Sequence, residues 1–203
     1  MKKLIFAFTA LLFSLSVQSQ DLIEGQQYQT LEQQQRSAQP EVVEFFSFYC
    51  PHCYSFEMQY KIPEKVKAVL PEGTAFKQYH VNFLGEQGKN LTRAWALAIA
   101  LGVEDKVKKP LFDAAQANSL KSMNDIRQKF IDNGVTEEQF DGGIESFAVN
   151  ALFNQQVNLA EQLNVRGVPD FYINHKFRVN PEGLSRDDFV ADYVATIKAL
   201  LQK

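Results

Sequence analysis

The chain has 203 residues, of which 45% are hydrophobic and 22% are charged, and its formal net charge at pH 7 is −3. This composition is typical of a folded, globular protein and excludes a largely disordered chain. The mild excess of acidic groups gives no electrostatic reason to bind nucleic acid or anionic lipid, so neither is expected as a partner.

The first 19 residues have the pattern of a secretory signal peptide. Lys2 and Lys3 precede a nearly unbroken apolar stretch over 4–17, and polar residues follow it. We expect cleavage near Ser19. The alternative is an uncleaved anchor, but the apolar stretch is short for a membrane span. No later segment is long and apolar enough to cross a membrane, so stable membrane insertion is not expected.

A strand, a helix and a second strand are predicted over 41–83. The apolar residues of 41–48 do not alternate with polar ones, which indicates a strand buried on both faces. Pro51 suits the first turn of a helix, and Pro63 is expected to interrupt that helix. Residues 76–83 predict the second strand, so the three elements form a βαβ unit with a parallel pair of strands.

Helical patterns dominate the next stretch, and strand patterns return after it. Between Phe83 and about Gln156 the sequence predicts consecutive helices at 91–101, 107–117, 122–133, from 136 onward, and at 145–163. A strand at 167–173, a turn at Asn174 and His175, a partner strand at 176–179 and a helix at 186–201 close the chain. The sequence therefore predicts two α/β stretches around an inserted helical one.

Cys50 and Cys53 are the only cysteines, and they flank Pro51 and His52 directly after the first predicted strand. Bridging two cysteines three positions apart closes a very small loop, which constrains the unfolded chain little. A dithiol that cycles between open and closed forms explains the motif better than a structural staple. Export fits this interpretation, because disulfides persist outside the cytosol.

The position of each cysteine predicts its role. Cys50 lies at the start of the predicted helix, where unpaired N–H groups and the helix dipole favour thiolate over thiol. His52 can donate to the same sulfur or lie charged beside it. Cys53 is further into the helix and is expected to be less exposed. We therefore expect Cys50 to exchange with substrate and Cys53 to resolve the mixed disulfide.

The alternative for these cysteines is a zinc site completed by His80 and His175. The spacing of the second pair is not typical of zinc sites, so neither a metal nor a cofactor is expected. His80 is expected to be a partly buried histidine under the sheet, and His175 a turn residue.

Several segments together resemble the DsbA family of bacterial periplasmic thiol:disulfide oxidoreductases. Residues 45–54 read FFSFYCPHCY, as in the family's active-site region. Further segments resemble the family in order, namely YHVNF at 79–83, ALGVEDKV at 100–107, RGVP at 166–169 and NP at 180–181. The resemblance implies an α/β, thioredoxin-like fold formed by 20–82 and 157–203, with an all-helical domain inserted at 83–156.

The resemblance also implies an activity and a compartment. The Cys50–Cys53 disulfide is expected to be donated, through a mixed disulfide, to reduced polypeptides newly exported to the periplasm. A quinone-linked inner-membrane partner of the DsbB type is expected to re-oxidise the dithiol. The protein is expected to act as a monomer.

Val168 and Pro169 match the family's cis-proline loop. A cis X–Pro bond there places the Val168 backbone beside the dithiol, where an extended substrate chain can pair with it. Without the resemblance, a trans proline at the start of a strand would be expected.

Glu44, within the first predicted strand, has two interpretations. It is either a carboxylate near water or a buried group that relays protons beneath the dithiol. The family commonly pairs this acid with a lysine, and Gln78 replaces it here, which leaves at best a neutral hydrogen-bond partner. Glu57, one turn past Cys53, either contributes to the same electrostatic field or is a solvated helix residue, and the second is expected. Asp170, where the family more often has a small residue, is expected to add negative charge near the peptide groove.

Two other functions are compatible with parts of the pattern. A periplasmic disulfide isomerase or reductase keeps its dithiol reduced, and such isomerases usually carry a dimerisation domain, for which the N-terminal segment is too short. A peptide-binding chaperone would use the Phe-rich face without turnover. Only the chaperone would keep its function with Cys50 and Cys53 both changed to serine.

Overall fold

A computed structural model describes residues 21–32 and 34–203 of the protein. The predicted signal peptide, with its cleavage near Ser19, lies outside the described residues. Within the two described ranges, no helix combines the length and the apolar character needed to cross a membrane.

The strands of the described residues form one mixed sheet of five, in the order β1-β5-β4-β2-β3. β2 pairs in parallel with β3, whereas the other pairs are antiparallel, so the predicted α/β class and its parallel pair are confirmed. All six residues of β2 are buried, as expected of a strand inside a sheet. The strands are β1 Tyr28–Thr30, β2 Glu41–Phe46, β3 Ala75–His80, β4 Asp170–Ile173 and β5 Phe177–Val179.

The helices of the described ranges include a consecutive group between β3 and β4, where the sequence predicts it. Ser122 and Thr136 begin two of these helices, and each side chain accepts a backbone N–H as an N-cap. The helices are α1 Pro51–Tyr54, α2 Ile62–Val69, α3 Gly88–Leu101, α4 Glu104–Gln116, α5 Met123–Asp132, α6 Glu137–Gly143, α7 Phe147–Gln162 and α8 Phe189–Leu200.

The helix after the cysteines is interrupted, as Pro63 predicts, but the break comes before the proline. α1 passes into a π-helical turn, Ser55–Gln59, and Lys61 then takes the left-handed conformation with φ of 51°. Pro63 lies in the first turn of α2, where its missing N–H breaks no hydrogen bond.

Four strands differ from the sequence-based expectation. β4 begins at Asp170, whereas the sequence predicts its start at residue 167. β2 ends at Phe46 because the chain then turns towards the cysteines. β3 ends at His80, and Phe83, which the sequence includes in that strand, is 47% exposed. β1 is not predicted by the sequence: only Tyr28 of its three residues is buried, so it shows no alternating pattern.

The turn between β4 and β5 lies where the sequence predicts it, at Asn174 and His175. Asn174 and His175 have φ angles of 52° and 55°. A type I′ turn needs positive φ at both central residues, and asparagine tolerates this better than most residues.

Helix α7 crosses the predicted end of the helical insertion. The sequence places that boundary after residue 156, whereas α7 continues without a break to Gln162. Gln156 is fully buried, and its Oε1 accepts from the His80 N–H at 2.9 Å while its Nε2 donates to the Thr92 carbonyl at 3.2 Å. The helix therefore ties the insertion to β3 at the point where the sequence suggests a division.

The two cysteines lie where the sheet meets the helical stretch. One hydrophobic cluster contains Phe46, Phe48, Cys50 and Cys53 together with buried residues of α3, α4, α5, α6 and α7. A second cluster packs α2 and α8 against the sheet. The dithiol thus contacts both parts of the fold.

Candidate active site

The turn between β2 and α1 places Cys50 at the start of a helix. The Cys50 N–H donates to the Ser47 carbonyl at 3.0 Å, and the Tyr49 N–H donates to the Ser47 hydroxyl at 3.2 Å. Cys50 is the N-cap of α1, and Pro51 occupies its first turn. The local chemistry of turn and proline therefore positions the first cysteine as the sequence predicts.

Several donors converge on the Cys50 sulfur. The Cys53 thiol and the N–H groups of Cys53 and His52 all donate to it, with the Cys53 N–H 3.2 Å from Sγ. These bonds, led by the one from the Cys53 thiol, outweigh burial and lower the pKa of Cys50 to about 7. A substantial fraction of Cys50 is therefore thiolate at neutral pH.

Cys53 has the opposite protonation preference. Burial is the main cause that raises its pKa, and the hydrogen bond to Cys50 and the charges of Cys50 and Glu44 act in the same direction. Both cysteines are free thiols in this structure. Cys50 is 7% exposed and Cys53 is 1% exposed, so the order of exposure is as expected, although Cys50 is itself buried.

His52 reaches the Cys50 sulfur through its main chain. Its N–H is among the groups that lower the pKa of Cys50, whereas its side chain is exposed. The contact would survive substitution of the imidazole. A role for the ring itself stays a prediction.

The loop before β4 lies against Cys50. The Val168–Pro169 peptide bond is cis, as the resemblance implies. The Cys50 Sγ lies 3.3 Å from the Val168 carbonyl oxygen, to which the thiol donates. The structure therefore brings together the CPHC motif and a loop more than a hundred residues away in sequence.

His80 supports the chain that leads to Cys50, a role the sequence does not suggest. Its Nε2 accepts from the Phe48 N–H at 3.2 Å, so Nδ1 carries the proton and lies 2.8 Å from the Thr92 hydroxyl. Its ring stacks on that of Phe48, with centroids 5.1 Å apart. Burial lowers the pKa of His80 to about 3, which keeps the ring neutral and Nε2 free to accept.

The structure does not bring together the four residues of the zinc alternative. His80 pairs with Phe46 at one end of β2, and its ring nitrogens are engaged as described. His175 lies at the other end, with its Nε2 2.5 Å from Glu41. His80 is fully buried rather than partly so, and His175 is in the predicted turn.

Glu44 is buried beneath the dithiol and is not near water, and its hydrogen-bond partner is neutral, as the replacement of the family's lysine by Gln78 predicts. Its side chain accepts from Gln78 Nε2 at 2.7 Å, and the residue is 1% exposed. Burial, reinforced by the negative charge of Glu57, raises the pKa of Glu44 to about 8. Glu44 therefore titrates near neutral pH, and its charge acts on Cys53.

The same amide connects Glu44 to a buried ion pair. Gln78 Nε2 also donates to Glu57 at 2.8 Å, and Lys108 donates to Glu57 at 2.9 Å and to Gln78 Oε1 at 2.8 Å. The expectation that Glu57 is solvated is wrong, because its side chain is 17% exposed and paired. Lys108 belongs to α4, and only the tertiary packing of the insertion reveals its place here.

Asp170 is directed into the protein rather than towards a groove. It is 3% exposed, and Arg178 Nε lies 2.9 and 3.0 Å from its two carboxylate oxygens while the Tyr172 hydroxyl donates at 2.9 Å. Burial is the main cause that raises its pKa. The expected negative charge near the peptide groove is therefore wrong, because Arg178 compensates it within the sheet.

Comparison with known protein families gives a match over most of the chain. A family model described as a DSBA-like thioredoxin domain matches residues 41–195. Over the full length of both chains, the sequence is 65% identical to the thiol:disulfide interchange protein DsbA of Haemophilus influenzae. It is 45% identical to DsbA of Escherichia coli, again over the full length of both.

Solved structures show the same likeness. The structure of Proteus mirabilis DsbA with a non-covalently bound peptide, PWATCDS, covers 91% of this chain and all of that one, with 44% identity and a TM-score of 0.87. A DsbA structure from Klebsiella pneumoniae covers the same shares, with 34% identity and a TM-score of 0.85.

Proposed function

Because the chain belongs to the DsbA-like thioredoxin family and is a thiol:disulfide oxidoreductase, we propose that it oxidises reduced, newly exported polypeptides with its Cys50–Cys53 disulfide. The observation that carries this is the convergence of donors on the Cys50 sulfur. A cysteine whose thiolate is favoured in the reduced protein is a good leaving group, so its disulfide is easily given up.

The exchange has two steps. A substrate thiolate attacks Cys50 Sγ, a substrate–Cys50 disulfide forms, and Cys53 leaves with the electron pair and takes up a proton. A second substrate thiolate then attacks the substrate sulfur of that mixed disulfide, and Cys50 leaves as a thiolate. Two electrons have moved from the substrate dithiol to Cys50 and Cys53, and the substrate has gained a disulfide.

Glu44 is the proposed proton partner of Cys53. When Cys53 leaves as a thiolate, a protonated Glu44 supplies the proton and becomes a carboxylate. On re-oxidation, Cys50 first forms a mixed disulfide with the oxidant, and the Glu44 carboxylate takes the proton back from Cys53. The Cys53 thiolate then attacks Cys50 Sγ, the Cys50–Cys53 disulfide forms, and the oxidant's sulfur leaves as a thiolate. A pKa of about 8 suits both directions near neutral pH, because neither form of Glu44 is strongly disfavoured.

Val168 and Pro169 are the proposed substrate-binding loop. The Val168 carbonyl lies beside Cys50 and is an acceptor for the main chain of an extended peptide. The peptide bound by the Proteus relative supports a peptide substrate for this chain. Pro51 contributes by fixing the first turn of the helix that Cys50 caps.

The periplasm is the proposed compartment. The secretory pattern of the first 19 residues and the homologous DsbA proteins support it. A DsbB-type, quinone-linked enzyme of the inner membrane is the proposed oxidant that regenerates the disulfide, and a monomer is the proposed acting form. Residues 20–82 and 157–203 are assigned to the thioredoxin-like part, and 83–156 to the insertion.

The test is a single turnover with a substrate of known thiol content. Oxidised protein is mixed with a reduced, unfolded secretory protein, and disulfides are counted by mass spectrometry after acid quenching. Each molecule of oxidised protein should yield one substrate disulfide, and Cys50→Ser should yield none. An isomerase would instead rearrange existing disulfides while reduced. A chaperone would suppress aggregation equally well with both cysteines changed to serine.

A further inference from the structure

Lys108 is a buried lysine that takes no part in the proposed thiol–disulfide exchange. The residue is 6% exposed, although an ammonium group loses much hydration when it is buried. Its side chain compensates for this with two donated hydrogen bonds, to Glu57 and to Gln78. The surrounding acceptors are therefore placed to stabilise the charged ammonium group.

Gln78 transmits that charge to Glu44. An ammonium group can only donate, so the oxygen of the Gln78 amide faces Lys108 and its nitrogen faces Glu44 and Glu57. Donation to the amide oxygen polarises the amide and strengthens the hydrogen bonds that its N–H groups make. Lys108 therefore acts on Glu44 both through space and through the amide.

The other titratable groups around Glu44 come from five elements. Glu57 of the π-helical turn opposes ionisation of Glu44, whereas Lys108 of α4 and Lys67 of α2 favour it. Lys67 is exposed, so solvent screens it. Cys53 of α1 and Tyr193 of α8 share the field, and both have raised pKa values that keep them neutral.

The network also has access to solvent. Gln78 and Lys108 line a cavity of about 340 Å³ along the outer edge of β3, bounded by Trp95 and Tyr79 among others. That volume is large enough for several water molecules. Protons can therefore reach this side of the network without passing through the substrate loop.

We propose that Lys108, a residue of the helical insertion, is a positioning residue that sets the ionisation of Glu44 and thereby the proton exchange of Cys53. The effect of Lys108 on the ionisation of Glu44 is independent of the proposed function. The effect on proton exchange at Cys53 rests on the proposed role of Glu44, and the two effects are tested by different measurements.

The first measurement titrates the Glu44 carboxyl by carbon-13 NMR in the full mature protein, with Glu44 and Glu57 assigned from Glu→Gln variants. Lys108→Met should raise the Glu44 midpoint by about one pH unit, because the nearest cation is lost. Lys108→Arg should retain the original midpoint. Glu57→Gln should lower the midpoint, because the opposing charge is removed. Lys109→Met, on the exposed side of the same helix, should leave it unchanged.

A compensating variant separates charge from packing. Gln78→Lys in the Lys108→Met background places a cation directly beside Glu44 and Glu57 and should bring the Glu44 midpoint back down. If Lys108→Met does not fold, Lys108→Gln and Glu57→Gln supply the two opposite shifts. An unchanged Glu44 midpoint in folded Lys108→Met or Lys108→Gln would overturn the proposal for Lys108. Shifts of the same sign in these variants and in Glu57→Gln would also overturn it.

The second measurement follows the rate at which Cys53 attacks a Cys50 mixed disulfide with a small thiol, as a function of pH. The pH at which this rate changes should shift together with the Glu44 midpoint in each variant. A moved Glu44 midpoint with an unmoved rate profile would remove Glu44 from the proton exchange and leave the effect of Lys108 on Glu44 in place.

Discussion

Cys50 and Val168 are joined by a hydrogen bond in the reduced protein, with the Cys50 sulfur 3.3 Å from the Val168 carbonyl oxygen. The carbonyl that we propose for pairing with substrate is therefore already engaged by the Cys50 thiol. A disulfide carries no proton and a thiolate cannot donate, so the carbonyl is released when Cys50 is oxidised or ionised.

Peptide affinity should consequently depend on the redox state. The peptide PWATSDS, a serine analogue of the one bound to the Proteus relative, cannot form a mixed disulfide. At about pH 6 it should bind the oxidised form roughly five-fold more tightly, since one net hydrogen bond contributes about 1 kcal/mol. Calorimetric titration of both forms measures this. At pH 8.5 the difference should shrink, and equal affinities at pH 6 would contradict the competition for Val168.

Alkylation should distinguish the two thiols. Brief treatment of the reduced protein with iodoacetamide should label Cys50 and spare Cys53, because Cys50 ionises near neutral pH and Cys53 is held protonated and buried. The rate at Cys50 should rise with a midpoint near pH 7. Peptide mapping by mass spectrometry locates the label, and preferential modification of Cys53 would reverse the assigned roles.

His52→Ala tests the imidazole separately from the main chain. The variant keeps the N–H that donates to Cys50, so any change reports the side chain alone. We expect the pKa of Cys50 to rise by up to about one pH unit. The reduction potential of the Cys50–Cys53 couple should become correspondingly less oxidising. Ultraviolet absorbance of the thiolate during a pH titration measures it. If the titration curves of the variant and the unchanged protein coincide, His52 affects the pKa of Cys50 only through its backbone N–H.

The stability of the reduced protein should depend on pH through Cys50. Its pKa is lowered to about 7 from the ordinary 9.0, so the stabilisation is full above pH 9 and is lost as pH falls through 7. Between about pH 6 and 9.5, the free energy of unfolding of the reduced form should gain about 2 kcal/mol relative to the oxidised form. Urea unfolding of both forms tests this. Reduced Cys50→Ser should lose the part of the pH dependence that comes from Cys50 and keep the part that comes from Glu44.

Glu44→Gln should stabilise the protein in a pH-dependent way. The pKa of Glu44 is raised to about 8 from the ordinary 4.5, so folding opposes its ionisation. The resulting destabilisation is absent below about pH 4.5, grows between 4.5 and 8, and is constant above 8. The variant should thus gain a few kcal/mol, at roughly 1.4 per pH unit, near pH 8 and little near pH 4. Glu72→Gln, at an exposed position, should show neither effect.

The sequence predicts what local chemistry determines. Cys50 caps a helix because a proline follows it after a buried strand, and such signals lie within a few neighbouring residues. The place of the turn at Asn174 and His175, between two strand patterns, is likewise set by a few neighbouring residues. These elements of the fold and site could be predicted before any tertiary contact was known.

The contacts around Glu44 could not be predicted in the same way. Lys108 reaches Glu57 and Gln78 only because α4 packs beside the edge strand, and no spacing in the sequence records that approach. Arg178, whose side chain is partly exposed, compensates the buried Asp170 across a hairpin, so the charge expected near the peptide groove is neutralised within the sheet. Long-range packing decides the electrostatics of both groups.

The burial of Gln156 inside an unbroken α7 has a practical consequence for protein engineering. Excising the insertion at residue 156 would sever a helix and remove the acceptor of the His80 N–H, whose ring in turn holds the segment that leads to Cys50. A minimal version of the catalyst needs a new partner for that amide as well as a shorter linker. Replacing or removing the insertion at this site therefore requires a redesign of the hydrogen bonds that support the active site. Changing the linker alone is not enough.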